Sequence, residues 1–448
     1  MTEDISRRDF LKATGAVAVA AGMGIDGAVS ASGAPAKKRI SPNEKVVVGF
    51  IGVAGRGFGA HMHAFKDFAD VEMAAVCDVY DEHLNTAIAF TDGKAKGYKD
   101  FRKLLEQKDL DAVVIATPPH WHPMIAIAAC EAGKDVYCEK PMSRYPMEAK
   151  LMAEAAKRNG CVTQVGTQIH STPNYHLCVD IVRSGALGKI TSVTNFCTMN
   201  DNSEGLDHPA DSEPMEGLDW NTWLGPAPKV PFNIGRFRDG MHRYFKDYVD
   251  SWLHELGPHI VDLPVWALEL KQPLTASGCG GRFATDSIAD VPDTFQVVWE
   301  YPEMTMTWNL MQANAFSFGV GDPGPGRHNG IVFHGKEGTL AIVNYGTPQV
   351  FDNNGKLVEG ATYPKSVPDA PEGPHAHQRE FVNKIKTREE CTCSFENDLP
   401  LHIALNLAHV SLRANKKIHW DEEKFEVIGE KDTKSLITPK YRAPWKLS

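Results

Sequence analysis

Cysteine is scarce in this sequence, and its spacing argues against two classes of site. Nine cysteines are scattered along 448 residues, and none of them forms a C-x-x-C pair. The closest two are Cys391 and Cys393. An odd, scattered set is typical neither of a disulfide scaffold nor of a structural zinc site built on thiolates.

The sequence also lacks an excess of basic charge and a long apolar run. Its formal net charge of −10 argues against nucleic acid as a partner, and no basic block indicates an anionic membrane surface. The apolar run near the N-terminus is too short and too alanine-rich for a membrane span. The composition is that of a globular protein, and the length suffices for two or three domains.

Residues 1–36 have the pattern of an export signal. The paired arginines Arg7 and Arg8 precede a Phe-Leu-Lys tripeptide and a weakly apolar run, which resembles a twin-arginine signal peptide. Cleavage is expected between Ala31 and Ala36. Because this route carries folded proteins, often with cofactor inside, we expect a periplasmic or extracytoplasmic protein that keeps a bound cofactor.

An apolar run that ends in glycines opens the next segment. Residues 45–51 suit a strand buried on both faces, and the glycines after it let the backbone approach a diphosphate at a helix N-terminus. The next apolar run ends at Asp78, about 20 residues after the last glycine, where a carboxylate binds a ribose diol. The predicted cofactor-binding residues here are Gly52, Ala54, Gly55, Arg56, Gly57 and Asp78.

Two residues bear on the choice between NAD and NADP. Asp78 favours NAD, because its carboxylate repels a 2′-phosphate. Arg56 is close to Asp78 in sequence, and its positive charge favours NADP because it attracts a 2′-phosphate. NAD is therefore the expected cofactor, with NADP as the less favoured alternative.

Predicted strands alternate with helical patterns between residues 41 and 166. Such alternation indicates right-handed parallel β-α-β units, in which ligands bind at the carboxyl ends of the strands. This region is therefore predicted to be a Rossmann domain with one ligand crevice. The other residues that follow predicted strands, and are expected at this crevice, are Thr117, the segment from Pro118 to His122, Glu139 and Lys140.

The pattern changes after residue 166. Strand-like runs follow one another with few helices between them, which predicts an antiparallel sheet. We predict an α+β domain at 167–420 with a large open sheet, and a C-terminal tail at 421–448. The segment 200–250 is expected to loop over the site, and a late helix at 399–415 is expected to pack on the sheet. The predicted fold class is therefore α/β, with a Rossmann domain followed by this α+β domain.

Five motifs resemble, in their order and spacing, those of one family. They are Gly52-Val53-Ala54-Gly55-Arg56-Gly57, Ala116-Thr117-Pro118-Pro119-His120-Trp121-His122, Glu139-Lys140-Pro141, Gln164-Val165-Gly166-Thr167-Gln168 and Gly185-Ala186-Leu187-Gly188. Over roughly residues 45–420 the chain resembles the glucose–fructose oxidoreductase / inositol dehydrogenase / MocA (Gfo/Idh/MocA) family. The resemblance implies NAD or NADP, a carbohydrate-like or cyclitol substrate, and homodimers or homotetramers formed through the open sheet.

The resemblance also implies roles for single residues. Lys140 matches a lysine near nicotinamide and substrate, and His259 matches the histidine that takes the hydroxyl proton. Glu255 stands where the family has aspartate, which leaves its role open. His122 and Gln168 fall within motifs near the cofactor. The predicted catalytic residues are thus Lys140, His259 and Glu255.

Elementary chemistry supports these roles. A histidine titrates near neutrality and suits a base for a hydroxyl proton, and a lysine beside it lowers its pKa and stabilises a developing alkoxide. If Glu255 and His259 lie one helical turn apart, they share a face. His254 and His259 would diverge by about 140° on a helix, so no metal site is predicted.

Two further groups are candidates for contact with a carbohydrate. Trp220 and Trp223 could stack on a sugar ring, although a tryptophan pair more often serves packing. The other group is a polar loop that contains Arg236, Arg238, His242, Arg243 and Tyr244.

Three functions remain open from the sequence. The first is an oxidoreductase that acts on a secondary hydroxyl of a sugar, glycoside or cyclitol with a tightly bound, recycled nucleotide. The second is a glycosidase or lyase that oxidises a ring hydroxyl transiently. The third is a non-catalytic dinucleotide or sugar sensor, against which Lys140 and His259 argue because a sensor needs no proton acceptor.

Overall fold

The computed structural model describes residues 40–41, 43–200, 206–238, 240–317 and 326–447. The predicted signal at 1–36 lies outside the described residues. Among the described residues, no helix has both the length and the apolar character needed to cross a membrane.

The first sheet has six parallel strands in the order β3-β2-β1-β4-β5-β6. This order is that of a doubly wound Rossmann sheet, as the sequence predicts. Its central strand is buried along nearly its whole length, which explains the unbroken apolar run. The strands are β1 Val46–Ile51, β2 Val71–Cys77, β3 Lys96–Tyr98, β4 Ala112–Ile115, β5 Asp135–Cys138 and β6 Thr163–Val165.

The carboxyl ends of the central strands are level. Ile51 at the end of β1 pairs with Cys77 of β2 and with Ile115 of β4, and Ile115 pairs with Cys138 of β5. The loops that follow these four strands therefore begin at one edge of the sheet. This register brings the glycine loop, Asp78 and the loops of β4 and β5 to one crevice.

Helices connect these strands and cover both faces of the sheet. The helix after β1 begins in π form and continues as an α-helix, and the helix after β5 begins with Pro146, whose missing N–H suits a first turn. The helical segments here are Gly57–Met62, His63–Lys66, Asp81–Phe90, Phe101–Leu105, Pro119–Trp121, His122–Glu131, Pro146–Arg158 and Gln168–Ser171.

The second sheet has ten strands among the described residues and is mostly antiparallel, as predicted. One pair departs from the prediction, because β7 and β10 run parallel. The strands are β7 Ile190–Asn200, β8 Thr275–Gly281, β9 Thr294–Tyr301, β10 Met304–Met311, β11 Ala313–Asn314, β12 His328–Gly335, β13 Gly338–Val343, β14 Gln349–Asp352, β15 Ile418–Asp421 and β16 Glu426–Val427.

The predicted late helix is Leu399–Ala414, and it packs on this sheet. The indole Nε1 of Trp299 on β9 donates to the Ala404 carbonyl at 2.8 Å, and the Gly278 amide on β8 donates to Ser411 Oγ at 2.9 Å. The other helical segments of this region are Pro173–Arg183, Trp220–Leu224, Ile234–Phe237, Met241–Tyr244, Trp252–Ile260, Asp262–Ala267, Ala376–Thr387 and Thr433–Ile437.

Candidate active site

A cleft of about 700 Å³ lies at the carboxyl edge of the Rossmann sheet. Helix Trp252–Ile260 and the segment 219–243 supply its other side, as expected of the segment predicted to loop over the site. The predicted site residues that line it are Gly52, Ala54, Gly55, Arg56, Asp78, Thr117, Pro118, Glu139, Lys140, Glu255 and His259.

The glycine loop is shaped by contacts that a side chain would prevent. Gly52 has φ +82°, and a Cβ there would lie 2.7 Å from the Thr117 nitrogen. A Cβ on Gly57 would lie 2.0 Å from the Gly52 carbonyl oxygen, so this glycine lets the following helix pack on the loop. Ala54, in place of the middle glycine, lines the cleft. The loop thus has the close backbone approach that a diphosphate requires.

Asp78 lies at the cleft and also holds the glycine loop. Its Oδ2 accepts a hydrogen bond from the Val53 amide at 3.0 Å, and its Oδ1 accepts one from the Tyr80 amide at 3.0 Å. A carboxylate accepts about four hydrogen bonds, so capacity for ribose hydroxyls remains. The cleft therefore fits a dinucleotide at its glycine loop and at this acid.

Glu139 is buried within a set of hydrogen-bond donors. Its Oε1 accepts from His61 Nε2 at 2.8 Å, Gln168 Nε2 at 2.8 Å and Arg56 Nε at 3.2 Å. Its Oε2 accepts from the Lys140 amide at 3.1 Å. Burial alone would raise the pKa of Glu139, but His61 and Arg56 hold it well below its usual value. Glu139 therefore fixes the backbone that carries Lys140.

Gln168 does not line the cleft in the described structure. Its side-chain amide donates to Glu139 and, at 3.0 Å, to the Tyr137 hydroxyl. The prediction that Gln168 contacts the cofactor has no support in this geometry. Its contacts are those of a residue that orients Glu139.

Lys140 joins the Rossmann domain to helix Trp252–Ile260. Its Nζ donates to the Glu255 carbonyl at 2.9 Å and lies 3.0 Å from Glu255 Oε1. Arg243 Nε lies 4.0 Å from the same Oε1. Burial would raise the pKa of Glu255, but Lys140 and then Arg243 lower it to about 2. Glu255 is thus an ionised partner that orients the lysine.

His259 lies one helical turn after Glu255, and both line the cleft, as predicted. Its Nδ1 is buried and has no hydrogen-bond partner among the described residues. Burial, and then Lys140, lower the pKa of His259 to about 3. The direction agrees with the prediction that a nearby lysine lowers this pKa, and burial, which the sequence does not reveal, is the larger cause.

His122 has a different position from the one predicted. It is 1% exposed, and it is absent from the residues that line the cleft. Its Nδ1 lies 2.7 Å from the Pro141 carbonyl oxygen and its Nε2 lies 2.8 Å from the Thr117 carbonyl oxygen. His122 therefore links the loops after β4 and β5 instead of lining the crevice.

The tryptophan pair divides between packing and the cleft. Trp220 stacks on Trp223 with ring centroids 4.6 Å apart and an interplanar angle of 17°. Trp223 lines the cleft, and its carbonyl accepts from Trp121 Nε1 at 3.0 Å. Packing is thus the main role of the pair.

His254 does not line the cleft among the described residues. It is buried against Asn406, whose Oδ1 is 2.8 Å from His254 Nε2.

Several residues at the cleft were absent from the sequence-based prediction. Arg102 follows β3 and Phe237 ends a short helix, and neither belongs to a predicted motif, whereas Trp121 lines the cleft as expected of the segment 118–122. Trp445 belongs to the segment predicted as a tail, yet it lines the same cleft. His242 and Arg243 from the predicted polar loop also line it, and burial lowers the pKa of His242 to about 4.

The fold and the site define a dinucleotide-binding Rossmann protein with a second domain built on an open sheet. Residues 46–167 match the oxidoreductase family model described as an NAD-binding Rossmann fold, and residues 345–447 match its C-terminal alpha/beta domain. The chain belongs to the Gfo/Idh/MocA oxidoreductase family. Residues 4–24 match the twin-arginine translocation signal sequence, which supports export to the periplasm or extracytoplasmic space.

Named relatives match part of the chain. A glycosyl hydrolase family 109 protein of Shewanella baltica (strain OS195) is 33% identical over 213 residues, which are 42% of this chain and 44% of that protein. An alpha-N-acetylgalactosaminidase of Shewanella oneidensis is 32% identical over 210 residues, with the same coverage of 42% and 44%. The chain thus spans less than half the length of these relatives.

A solved structure resembles most of the fold. Levoglucosan dehydrogenase in complex with NADH and levoglucosan superposes with a TM-score of 0.62 at 18% identity. The superposition covers 84% of this chain and 99% of that one. At this identity the likeness shows the fold alone.

Proposed function

We propose that this protein is an exported NAD-dependent oxidoreductase that acts on a secondary hydroxyl of a sugar, glycoside or cyclitol. One observation carries the proposal. A single cleft holds both the glycine loop with Asp78 and the group formed by Lys140, Glu255 and His259. A dinucleotide site and a proton acceptor in one cleft are what oxidation of an alcohol requires.

The ion pairs of the cleft favour NAD over NADP. Arg56 is paired with Glu139, whose carboxylate neutralises the charge that would attract a 2′-phosphate. Asp78 lines the cleft, and its side chain is 10% exposed. A carboxylate in that position accepts ribose hydroxyls and repels a phosphate.

The two proposed catalytic residues, Lys140 and His259, have complementary roles. When NAD is bound, its nicotinamide supplies the hydride acceptor. The neutral ring of His259 accepts the hydroxyl proton, and the Lys140 ammonium stabilises the negative charge that develops on oxygen. Because burial, and then Lys140, lower the pKa of His259, the ring is neutral before the reaction and releases the proton readily when the reaction reverses. One base therefore serves both directions.

A glycosidase that works by transient oxidation is the second candidate. The relatives named glycosyl hydrolase family 109 protein and alpha-N-acetylgalactosaminidase favour it. Oxidation of a ring hydroxyl acidifies the neighbouring C–H, elimination then breaks the glycosidic bond, water adds, and the hydride returns to the same ring. The same three residues, Lys140, Glu255 and His259, would serve both this reaction and net oxidation.

The second sheet suits the association expected of the family. Large apolar side chains such as Phe283 (75% exposed) and Val298 (41% exposed) lie exposed on or beside its strands β8 and β9. We propose a homodimer or homotetramer formed through this sheet. A non-catalytic sensor remains the least supported function, because Lys140 and His259 would have no use in it.

Product analysis tests the proposal and separates the two candidates. The mature protein is incubated with a panel of glycosides and free sugars, with and without added NAD, and the products are identified by mass spectrometry. A keto-sugar supports net oxidation, and a released sugar without change of oxidation state supports the glycosidase. Absence of both across the panel, in protein shown to hold NAD, would contradict the proposed function.

A further inference from the structure

The last residues of the chain return to the cleft as an anchored segment, here called the C-terminal strap (residues 439–447). The Tyr441 hydroxyl donates to Glu148 Oε1 at 2.5 Å, at the start of helix Pro146–Arg158. The Arg442 guanidinium donates to the Gly225 carbonyl at 3.0 Å and to Asn221 Oδ1 at 2.7 Å. Hydrogen bonds from the Tyr441 hydroxyl to a buried carboxylate and from the charged Arg442 guanidinium therefore hold the strap in place.

The strap places Trp445 in the wall of the cleft. Its ring centroid is 4.8 Å from that of Trp121, at 79°, and 5.4 Å from the Arg102 guanidinium carbon. Trp121 is itself fixed, since a Cβ on Gly225 would lie 2.1 Å from its ring. Trp445, Trp121 and Arg102 all line the cleft. This end of the cleft therefore has an aromatic wall built by a distant part of the chain.

The strand order identifies this end of the cleft. Arg102 follows β3, which is the edge strand beside β2, and Asp78 follows β2. Lys140 follows β5, on the other side of β1. In a Rossmann fold the acid after the second strand binds the adenosine ribose. Trp445 contacts Arg102 as well as Trp121, which follows β4, and the contact with Arg102 places it on the side of the cleft that holds Asp78, the adenosine side.

The charge at this end suits a base more than a phosphate. The Arg102 guanidinium pairs with Asp100, with Nη2 2.6 Å from Oδ2 and Nε 2.9 Å from Oδ1. Its charge is therefore largely balanced within the protein. What remains is an aromatic surface, on which a nucleobase stacks well.

We infer that Trp445 contacts the adenosine half of the dinucleotide and that the C-terminal strap closes that end of the cleft. This inference rests on the proposed function. The inference gives a reason for an exported protein to retain its nucleotide. For the nucleotide to dissociate, the strap would have to detach from the partners of Arg442, and the contacts at the glycine loop would have to break.

Binding of fragments tests the inference independently of catalysis. ADP-ribose and nicotinamide mononucleotide are titrated into the full-length mature protein by isothermal calorimetry, after bound nucleotide has been removed. Trp445→Ala should weaken ADP-ribose binding by about 10- to 100-fold, the range expected for loss of one base–aromatic contact. Binding of nicotinamide mononucleotide should stay unchanged. Trp445→Phe should retain most of the affinity, and Lys446→Ala, an exposed neighbour, should match wild type.

A second variant keeps the inference testable if Trp445→Ala does not fold. Arg442→Ala frees the strap without touching the cleft, and it should speed the exchange of bound NAD with labelled NAD by about 10-fold or more, as expected for the loss of charge-assisted hydrogen bonds. Unchanged ADP-ribose affinity in folded Trp445→Ala, or unchanged exchange in Arg442→Ala, would overturn the inference alone. Wild-type protein that binds no ADP-ribose would overturn the proposed function together with it.

Discussion

Lys140 Nζ lies 3.0 Å from Glu255 Oε1 and donates to the Glu255 carbonyl at 2.9 Å. Oε1 belongs to the side chain of Glu255, and the carbonyl belongs to the backbone of the same residue in helix Trp252–Ile260. The strand-end loop of the Rossmann sheet is thereby tied to the helix that carries His259. The Rossmann sheet and the helix of the proposed base His259 consequently meet at this ion pair.

Removal of either member of the catalytic group should reduce turnover. We expect Lys140→Ala and His259→Ala each to lower kcat by about 10²- to 10⁴-fold, because each removes a base or its electrostatic partner. Nucleotide content after purification should change little. Steady-state kinetics and nucleotide content are measured together, with His176→Ala as the control, since that ring is hydrogen-bonded to Pro368 outside the cleft. Normal turnover in His259→Ala would assign the base to another residue.

The carboxylate of Asp78 should decide between the two dinucleotides. Asp78→Asn removes the charge that repels a 2′-phosphate while it retains an oxygen for the Val53 amide. We therefore expect tighter NADP binding and weaker NAD binding, measured as Kd for each nucleotide. Asp109→Asn, at an exposed position, is the matched control. An unchanged ratio of the two Kd values would mean that selectivity lies elsewhere in the cleft.

Acid should destabilise the fold between about pH 6.5 and 4. Burial lowers the pKa of His242, His377 and His409 to about 4, and that of His402 to about 3. The unfolded chain therefore binds more protons in this window, so the free energy of unfolding falls as the pH falls. The raised pKa values of His170, Glu148, Asp290 and Asp398 work in the opposite direction, but the histidines whose pKa is lowered by burial are more numerous.

His402 provides a specific test of this pH dependence. Neither of its ring nitrogens has a hydrogen-bond partner among the described residues. His402→Leu removes one proton-binding group and should reduce the slope of unfolding free energy against pH by up to about 1.4 kcal/mol per pH unit. Denaturant unfolding at several pH values measures the slope, with exposed His63→Gln as the control. Equal slopes for wild type and His402→Leu would contradict this explanation.

Local patterns were sufficient to predict the dinucleotide part of the site, whereas the roles of Lys140 and His259 were predicted from the family resemblance. The strand, the glycines and Asp78 lie within one β-α-β unit, so their spacing in sequence determines their spacing in space. The shared face of Glu255 and His259 follows from helical periodicity alone. The same holds for helix Leu399–Ala414, whose apolar pattern indicated packing on the sheet.

Features that depend on distant contacts could not be predicted. Nothing near Trp445 indicates that the strap returns to the cleft, because its anchors, Asn221 and Gly225, lie more than two hundred residues earlier. The positions of His122 and Gln168 were inferred from motifs, yet hydrogen bonds within the protein use their side chains. The parallel pairing of β7 with β10 and the low pKa of His259 likewise depend on tertiary structure.

The retention of the nucleotide through each catalytic cycle is the central claim, and counting turnovers tests it most directly. Substrate is supplied to purified protein without free NAD, and product is counted per bound nucleotide while the absorbance of reduced nicotinamide is followed. We expect many turnovers per nucleotide, either with no external acceptor, as in the glycosidase, or with an added aldose or ketose as acceptor. One turnover per nucleotide, relieved only by free NAD, would contradict the retention of the nucleotide and indicate a dehydrogenase that releases it after each turnover.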